Sequence, residues 1–186
     1  MLTCRLTSAT RFQIIFAAAS DTVESHWDTV EFPDGPAGLE TAGLDGKVGK
    51  LRSKSRTTPV PLTTVDTLVH DLKLPKVDIL IIDAEGADPA VLQGAEKTLN
   101  SVRYMMFETH RWQTGTHWEK TTILHVLRRL NGYGFECYWA GNNGKLYSIT
   151  SCYTEEFEES HWGNIVCVKR QDVWFSIMES ADPNSR

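Results

Sequence analysis

The chain has 186 residues, 41% of them hydrophobic and 23% charged, the profile of a globular protein with room for one domain and a real core. Its formal net charge of −5 argues against nucleic acid or an anionic membrane as the main partner, because both reward a basic face. The longest apolar runs, such as Val77 to Ala84, contain an acid or stop well short of the roughly 20 residues that a membrane-spanning helix needs, so no span is expected.

Met1 to Ser20 holds Arg5 and Arg11, several Ser and Thr and no acid, and it runs into Ala17, Ala18 and Ala19. One reading makes Gln13 to Ala18 a buried strand. The other makes the segment a targeting leader, mitochondrial in its arginines and acid-free polar residues and loosely secretory in Phe12 to Ala19. The expected compartment is accordingly cytoplasmic, or mitochondrial if Met1 to Ala19 is a leader.

Glu24 to Arg56 is rich in Gly, Asp, Lys and Ser, with Pro33-Asp34-Gly35-Pro36 as the strongest turn signal. It reads as a long excursion, a lid or an insert, with Trp27 and Phe32 as candidate anchors. Thr63 then opens a helix, with Asp66 completing a box-like cap and Val65, Leu68, Val69 and Leu72 on one face before Pro75. Ile79 to Ile82 is a branched apolar run too short for a helix. It is expected to be a central strand buried on both faces and ended by Asp83.

Asp88 caps the next helix, Pro89 takes the first helical position, and Val91, Leu92, Ala95 and Leu99 form the buried stripe. Lys97 and Asn100 suit its end, and Tyr104 to Phe107 is the following strand. Such a βαβ unit has parallel strands and a right-handed crossover, which puts Asp83 and Glu108 on the same edge of the sheet. Ile123, Leu124, Leu127 and Leu130 mark a helix that Gly132 ends, with Arg128 and Arg129 toward solvent. Phe135 to Tyr138 and Ile165 to Val168 are two further strands, Gly141 to Gly144 is a hairpin turn, and Val173 to Glu179 is a short tail helix. Cys4, Cys137, Cys152 and Cys167 stand singly. No close pair suggests a zinc or redox site, so they read as reduced thiols, with Cys137 and Cys167 as small apolar fillers of strands.

Ligands of open α/β sheets bind beyond the carboxyl ends of the strands, where Asp83, Glu85, Glu108, Thr109 and His110 gather. Three carboxylates and an imidazole at one edge exceed what a sheet needs for stability, because buried acids must be paired or neutralised. The plainer reading has Asp83 capping a turn, Glu85 facing water, and Glu108 paired with Arg103 or Arg111. No spacing fixes a metal cage, so no metal ligand is expected; a metal-dependent hydrolase built on Asp83, Glu85, Glu108 and His110 stands as an alternative.

The run Val77 to Asp88, with its Asp83-Ala84-Glu85-Gly86-Ala87 turn, followed by Val91-Leu92-Gln93-Gly94-Ala95, resembles the signature of the FkbM-type methyltransferases. Leu62 to Leu68 resembles the family's threonine, hydrophobic, aspartate helix start, and Phe107-Glu108 the acid ending its next strand. Ala17 to Asp21 resembles the third strand and the loop that flanks the adenine, so the likeness runs from about Ile14 to Val168.

The resemblance implies an α/β, class I methyltransferase-like (Rossmann-like) fold with a mostly parallel sheet and S-adenosylmethionine as donor. It also implies transfer that is usually to oxygen, here on a small-molecule or glycan acceptor. It implies that Asp83 stands where donor and acceptor meet, that Ser20 and Asp21 face the adenine, and that Glu108 or His110 takes the acceptor's proton, with Glu85 beside them. The family's first strands and glycine-rich turn have no counterpart before Arg11. Residues 1–186 are therefore expected as one N-terminally incomplete domain, with 24–56 as a loop or insert and with weak or no donor binding and poor folding in isolation as corollaries. A non-catalytic remnant is the alternative function, and another chain or a second copy is the expected cover for the exposed sheet edge.

Overall fold

The computed structural model describes residues 13–24, 28–33, 56–110, 116–141, 144–159 and 162–183. Arg5, Arg11, Trp27 and most of the 24–56 stretch lie outside them, as does Arg111. The described residues form a mixed α/β structure with two sheets.

The first sheet has the order β1-β3-β2, from β1 (Ala18–Ala19), β2 (Thr29–Pro33) and β3 (Thr57–Thr63). β1 runs parallel and β2 antiparallel to β3. β2 lies inside the Gly-rich stretch. Its alternation is that of a strand with one face covered: Val30 and Phe32 are half-buried while Thr29 and Glu31 are exposed. The buried strand expected over Gln13 to Ala18 reduces to two residues, because Ile14 and Phe16 stand largely in solvent.

The second sheet has the order β4-β5-β8-β6-β7, from β4 (Ile79–Ile81), β5 (Tyr104–Thr109), β6 (Phe135–Ala140), β7 (Leu146–Ser148) and β8 (Gly163–Lys169). β4 and β5 are parallel, whereas β8 is antiparallel to both β5 and β6, and β6 to β7. The sheet is thus mixed and not mostly parallel, because β8 returns between β5 and β6 and β7 folds back on β6 as a hairpin. β4, expected in the centre, lies at the end of the sheet among the described strands, with Ile79 62% and Ile81 61% exposed. Leu80 and Ile82 alternate with them and pack on the core. Beside Ile79 runs a groove of about 500 Å³, lined also by Tyr104, Val166, Trp174, Ile177 and Met178.

Among the described residues five α-helices accompany the strands: α1 (Val65–Asp71), α2 (Asp88–Gln93), α3 (Ile123–Gly132), α4 (Glu156–Glu159) and α5 (Val173–Ser180). The main core joins Leu92 of α2 and Leu127 of α3 to Phe107, Phe135 and Ile165 of the large sheet, with Trp118 stacked 6.3 Å from the Phe107 ring. A smaller cluster of Tyr138, Val166, Val168 and Met178 seats α5.

The start of α1 and the end of α2 differ from expectation. Thr64 caps α1, its hydroxyl accepting from the Thr67 N–H at 3.0 Å, because Thr63 is still paired in β3. Asp66 makes no box. Its carboxylate accepts from the N–H groups of Lys97 and Thr98, each at 2.8 Å, and so binds α1 to the segment after α2. α2 itself stops at Gln93, and Ala95 and Leu99 stay buried through a turn and a short 3-10 turn, Thr98–Asn100.

Gly94, just past α2, is a close-approach position: a Cβ there would lie 2.1 Å from the Ser20 carbonyl oxygen. Gly94→Ala is expected to destabilise the protein by about 1–3 kcal/mol, read as a lower urea midpoint at unchanged slope. An unmoved midpoint would mean that the Ser20 loop yields freely.

Cys137 and Cys167 are not reduced thiols. They face each other across β6 and β8 and form a disulfide, with Cα atoms 4.1 Å apart. They are 30 residues apart in sequence, so only the strand register brings them together. Cys152 is exposed and free. A non-reducing digest is expected to yield one cross-linked peptide pair containing Cys137 and Cys167, with Cys152 alkylated before unfolding; recovery of Cys137 and Cys167 as alkylated thiols would contradict the bridge.

Candidate active site

The parallel pairing sets Ile79 against Tyr104, Leu80 against Met105 and Ile81 against Met106. The Ile82 N–H continues the ladder to the Met106 carbonyl at 2.8 Å. Asp83 and Glu108, next along the two chains, therefore emerge at the same edge, and Asp83 is exposed there. Glu108 and His110 are two positions apart on extended backbone and so share a face. The Glu108 carboxylate is hydrogen-bonded to His110 Nε2, with the two residues only 8% and 5% exposed.

Glu85 joins them from the turn between β4 and α2, its Oε2 lying 4.0 Å from His110 Nε2. That turn has two successive left-handed residues, Glu85 at φ 49° and Gly86 at φ 96°. The first costs about 1–2 kcal/mol for a residue with a Cβ; the second suits glycine, and a Cβ on it would lie 2.5 Å from Thr116 Cγ2. The Gly86 carbonyl also accepts from the His117 N–H at 3.0 Å, which ties the turn to the segment leading into α3. Glu85, Glu108 and His110 each present one potential ligand atom, and these atoms all lie within 4.8 Å of one another.

Asp88 has a larger part than its sequence position suggests. Ala87 occupies the cap position of α2 and Asp88 is the first helical residue. Its buried carboxylate accepts from the N–H of Glu108 at 3.0 Å and of Gly86 at 3.3 Å. Burial pushes its pKa up to about 6 in spite of these bonds. An acid before a proline at a helix start carries the same local signal as an ordinary cap, so only the fold reveals this bridge from α2 to β5.

Ser20 and Asp21 follow β1 at the other end of α2. The Ser20 N–H donates to the Thr63 carbonyl at 2.8 Å, and the Ser20 hydroxyl donates to the Asp21 carboxylate at 3.0 Å. Asp21 borders a cavity of about 640 Å³ with Thr64, Asp66, Gln93 and Lys97, and another of about 270 Å³ with Pro89, His117, Lys120 and His125. Asp83, Glu85, Glu108 and His110 are thus brought to one edge, while Ser20 and Asp21 stand along α2 from them.

Residues 11–137 match the family model of the methyltransferase FkbM domain. The chain belongs to this family. The FkbM match takes in every candidate residue from Ser20 to His110 and ends within β6, so β7 and β8 lie beyond it. The chain matches no curated protein and no solved structure. FkbM membership makes methyl transfer the reaction class and implies a methyl donor.

Proposed function

We propose that this FkbM domain transfers a methyl group from S-adenosylmethionine to a hydroxyl oxygen of a small molecule or glycan, on a class I methyltransferase-like framework. The observation that carries the reading is the buried Glu108 and His110 pair at the carboxyl edge of β4 and β5, beside exposed Asp83. Bound S-adenosylmethionine supplies a methyl group made electrophilic by its sulfonium. A hydroxyl attacks such a group poorly until its proton is shared, and in this reading the Glu108 carboxylate, hydrogen-bonded to His110, takes that proton. Asp83 orients the acceptor, and alignment of the two partners does much of the remaining work.

The cavity beside Asp21 fits the donor in size and charge. Its volume lies within the ~300–1,000 Å³ usual for small-ligand sites. Asp21, Glu24, Asp66 and Glu96 line it, which suits a cationic ligand, and the Asp21 carboxylate, held by the Ser20 hydroxyl, offers an oxygen to an adenine amino group. α2 is six residues and about 9 Å long, with Gln93 at one end lining this cavity and Asp88 at the other bonded to the Glu108 N–H, a span that a nucleoside-sized donor bridges.

Titration with S-adenosylhomocysteine tests the reading without an acceptor. Weak but saturable binding that falls further in Asp21→Ala is expected, and no saturable binding up to millimolar ligand, or an affinity unchanged in Asp21→Ala, would overturn the donor assignment.

A further inference from the structure

We propose that Glu85, Glu108 and His110 form a binding site for one divalent transition-metal ion, in the range from manganese to zinc. The three side chains come from two segments, the turn after β4 and the end of β5. Their ligand atoms already lie within 4.8 Å of one another, with His110 Nε2 4.0 Å from Glu85 Oε2 and hydrogen-bonded to Glu108 Oε2. Around an ion about 2.0–2.2 Å from each donor, neighbouring donors stand roughly 3–4 Å apart. Closing the triad on such an ion asks the widest donor separation to shrink by about 1 Å and the hydrogen bond between Glu108 and His110 to open by a comparable amount.

The donor set selects the metal. One imidazole nitrogen with two carboxylate oxygens departs from the all-oxygen shells of magnesium and calcium, and it lacks the thiolates of softer sites. The surroundings select the kind of site. Glu108 and His110 are closed in by the sheet, whereas the Glu85 side chain keeps 26% of its exposure and Asp83 at the same edge is open to solvent. Three protein ligands with one accessible side is the arrangement of a metal that meets a substrate, unlike the closed four-ligand shell of a structural ion.

Asp88 supplies the outer support that such sites have. By accepting from the N–H groups of both Gly86 and Glu108 it holds the two ligand-bearing segments at a fixed separation. A cation at this edge would lie beside the acceptor oxygen and make its proton easier to lose, so that in the loaded site the positive charge replaces the free base. The inference rests on the placement of these three side chains and not on methyl transfer, and metal binding measured without donor keeps the two readings separate.

The test uses the 186-residue chain stripped with a chelator, titrated with Mn²⁺ by calorimetry and electron paramagnetic resonance, with Zn²⁺ and Mg²⁺ in parallel. One Mn²⁺ or Zn²⁺ per chain is expected, with a raised melting temperature and clearly weaker Mg²⁺ binding. Glu85→Gln and His110→Gln should each weaken Mn²⁺ binding by about 10–100-fold or more, and His110→Gln should remove the nitrogen coupling from the Mn²⁺ spectrum. Because His110 is buried, circular dichroism accompanies its variant, and Glu85→Gln, at the accessible side, is the deciding substitution if His110→Gln fails to fold. No saturable binding of Mn²⁺ or Zn²⁺, or an affinity unchanged in Glu85→Gln, would overturn the proposal.

Discussion

Glu108→Gln is expected to slow methyl transfer by about 10²–10⁴-fold, the usual contribution of a positioned acid or base. Glutamine keeps the shape and one acceptor oxygen but cannot take a proton at neutral pH, so the loss should appear in kcat with little change in donor affinity. The main-chain bond from the Glu108 N–H to Asp88 remains, which separates the chemistry from folding. His110→Gln should fall on the same step, and the double variant should lose little more than either single one, because the two side chains act as one hydrogen-bonded unit. A rate unchanged in Glu108→Gln would remove that carboxylate from the reaction.

The second large effect concerns stability and pH. Asp88 has a folded-state pKa of about 6 against an ordinary value of 3.8. Between those values the folded chain holds a proton that the unfolded chain has released, so acid favours the folded state at this site. The stabilisation is fully present below the unfolded value and is lost as pH rises through the folded one. The shift corresponds to ~3 kcal/mol at about 1.4 kcal/mol per unit. Wild type measured against Asp88→Asn, by urea denaturation, should therefore lose ~3 kcal/mol of relative stability between about pH 3 and pH 7. Other carboxylates cancel in that difference. A difference flat with pH would mean that Asp88 titrates normally. Asp88→Ala is the harsher change: it leaves the N–H groups of Glu108 and Gly86 without their acceptor, at about 1–3 kcal/mol for each buried donor.

The βαβ unit was legible because its signals are local. A short branched run ending in Asp83, a proline-marked helix start and a second apolar strand define two parallel strands, and the common edge of Asp83 and Glu108 follows from that direction alone. Glu108 and His110 also share a face by the period of two. What escaped depends on partners distant in sequence. The edge position of β4 and the insertion of β8 between β5 and β6 are properties of strand order, which composition does not carry. The bridge between Cys137 and Cys167 needs their register, and the bonds of Asp66 to Lys97 and Thr98 need α1 laid against the end of α2. β2 is a different case. Its alternation of Thr29, Val30, Glu31 and Phe32 was visible, but the glycines and turn signals around it outweighed so short a pattern.

The bond between Cys137 and Cys167 also acts as a ruler for the active edge. β8 is flanked by β6, to which it is covalently joined, and by β5, with Asn164 opposite Glu108 and Gly163 opposite Thr109. Sliding one strand of a ladder by a single residue turns every side chain to the other face. Such a slip between β6 and β8 would have to break a covalent bond, and β5 takes its alignment in turn from β8. Two sulfur atoms with no part in the chemistry thereby help to decide that Glu108 and His110 look toward Glu85 and not away from it.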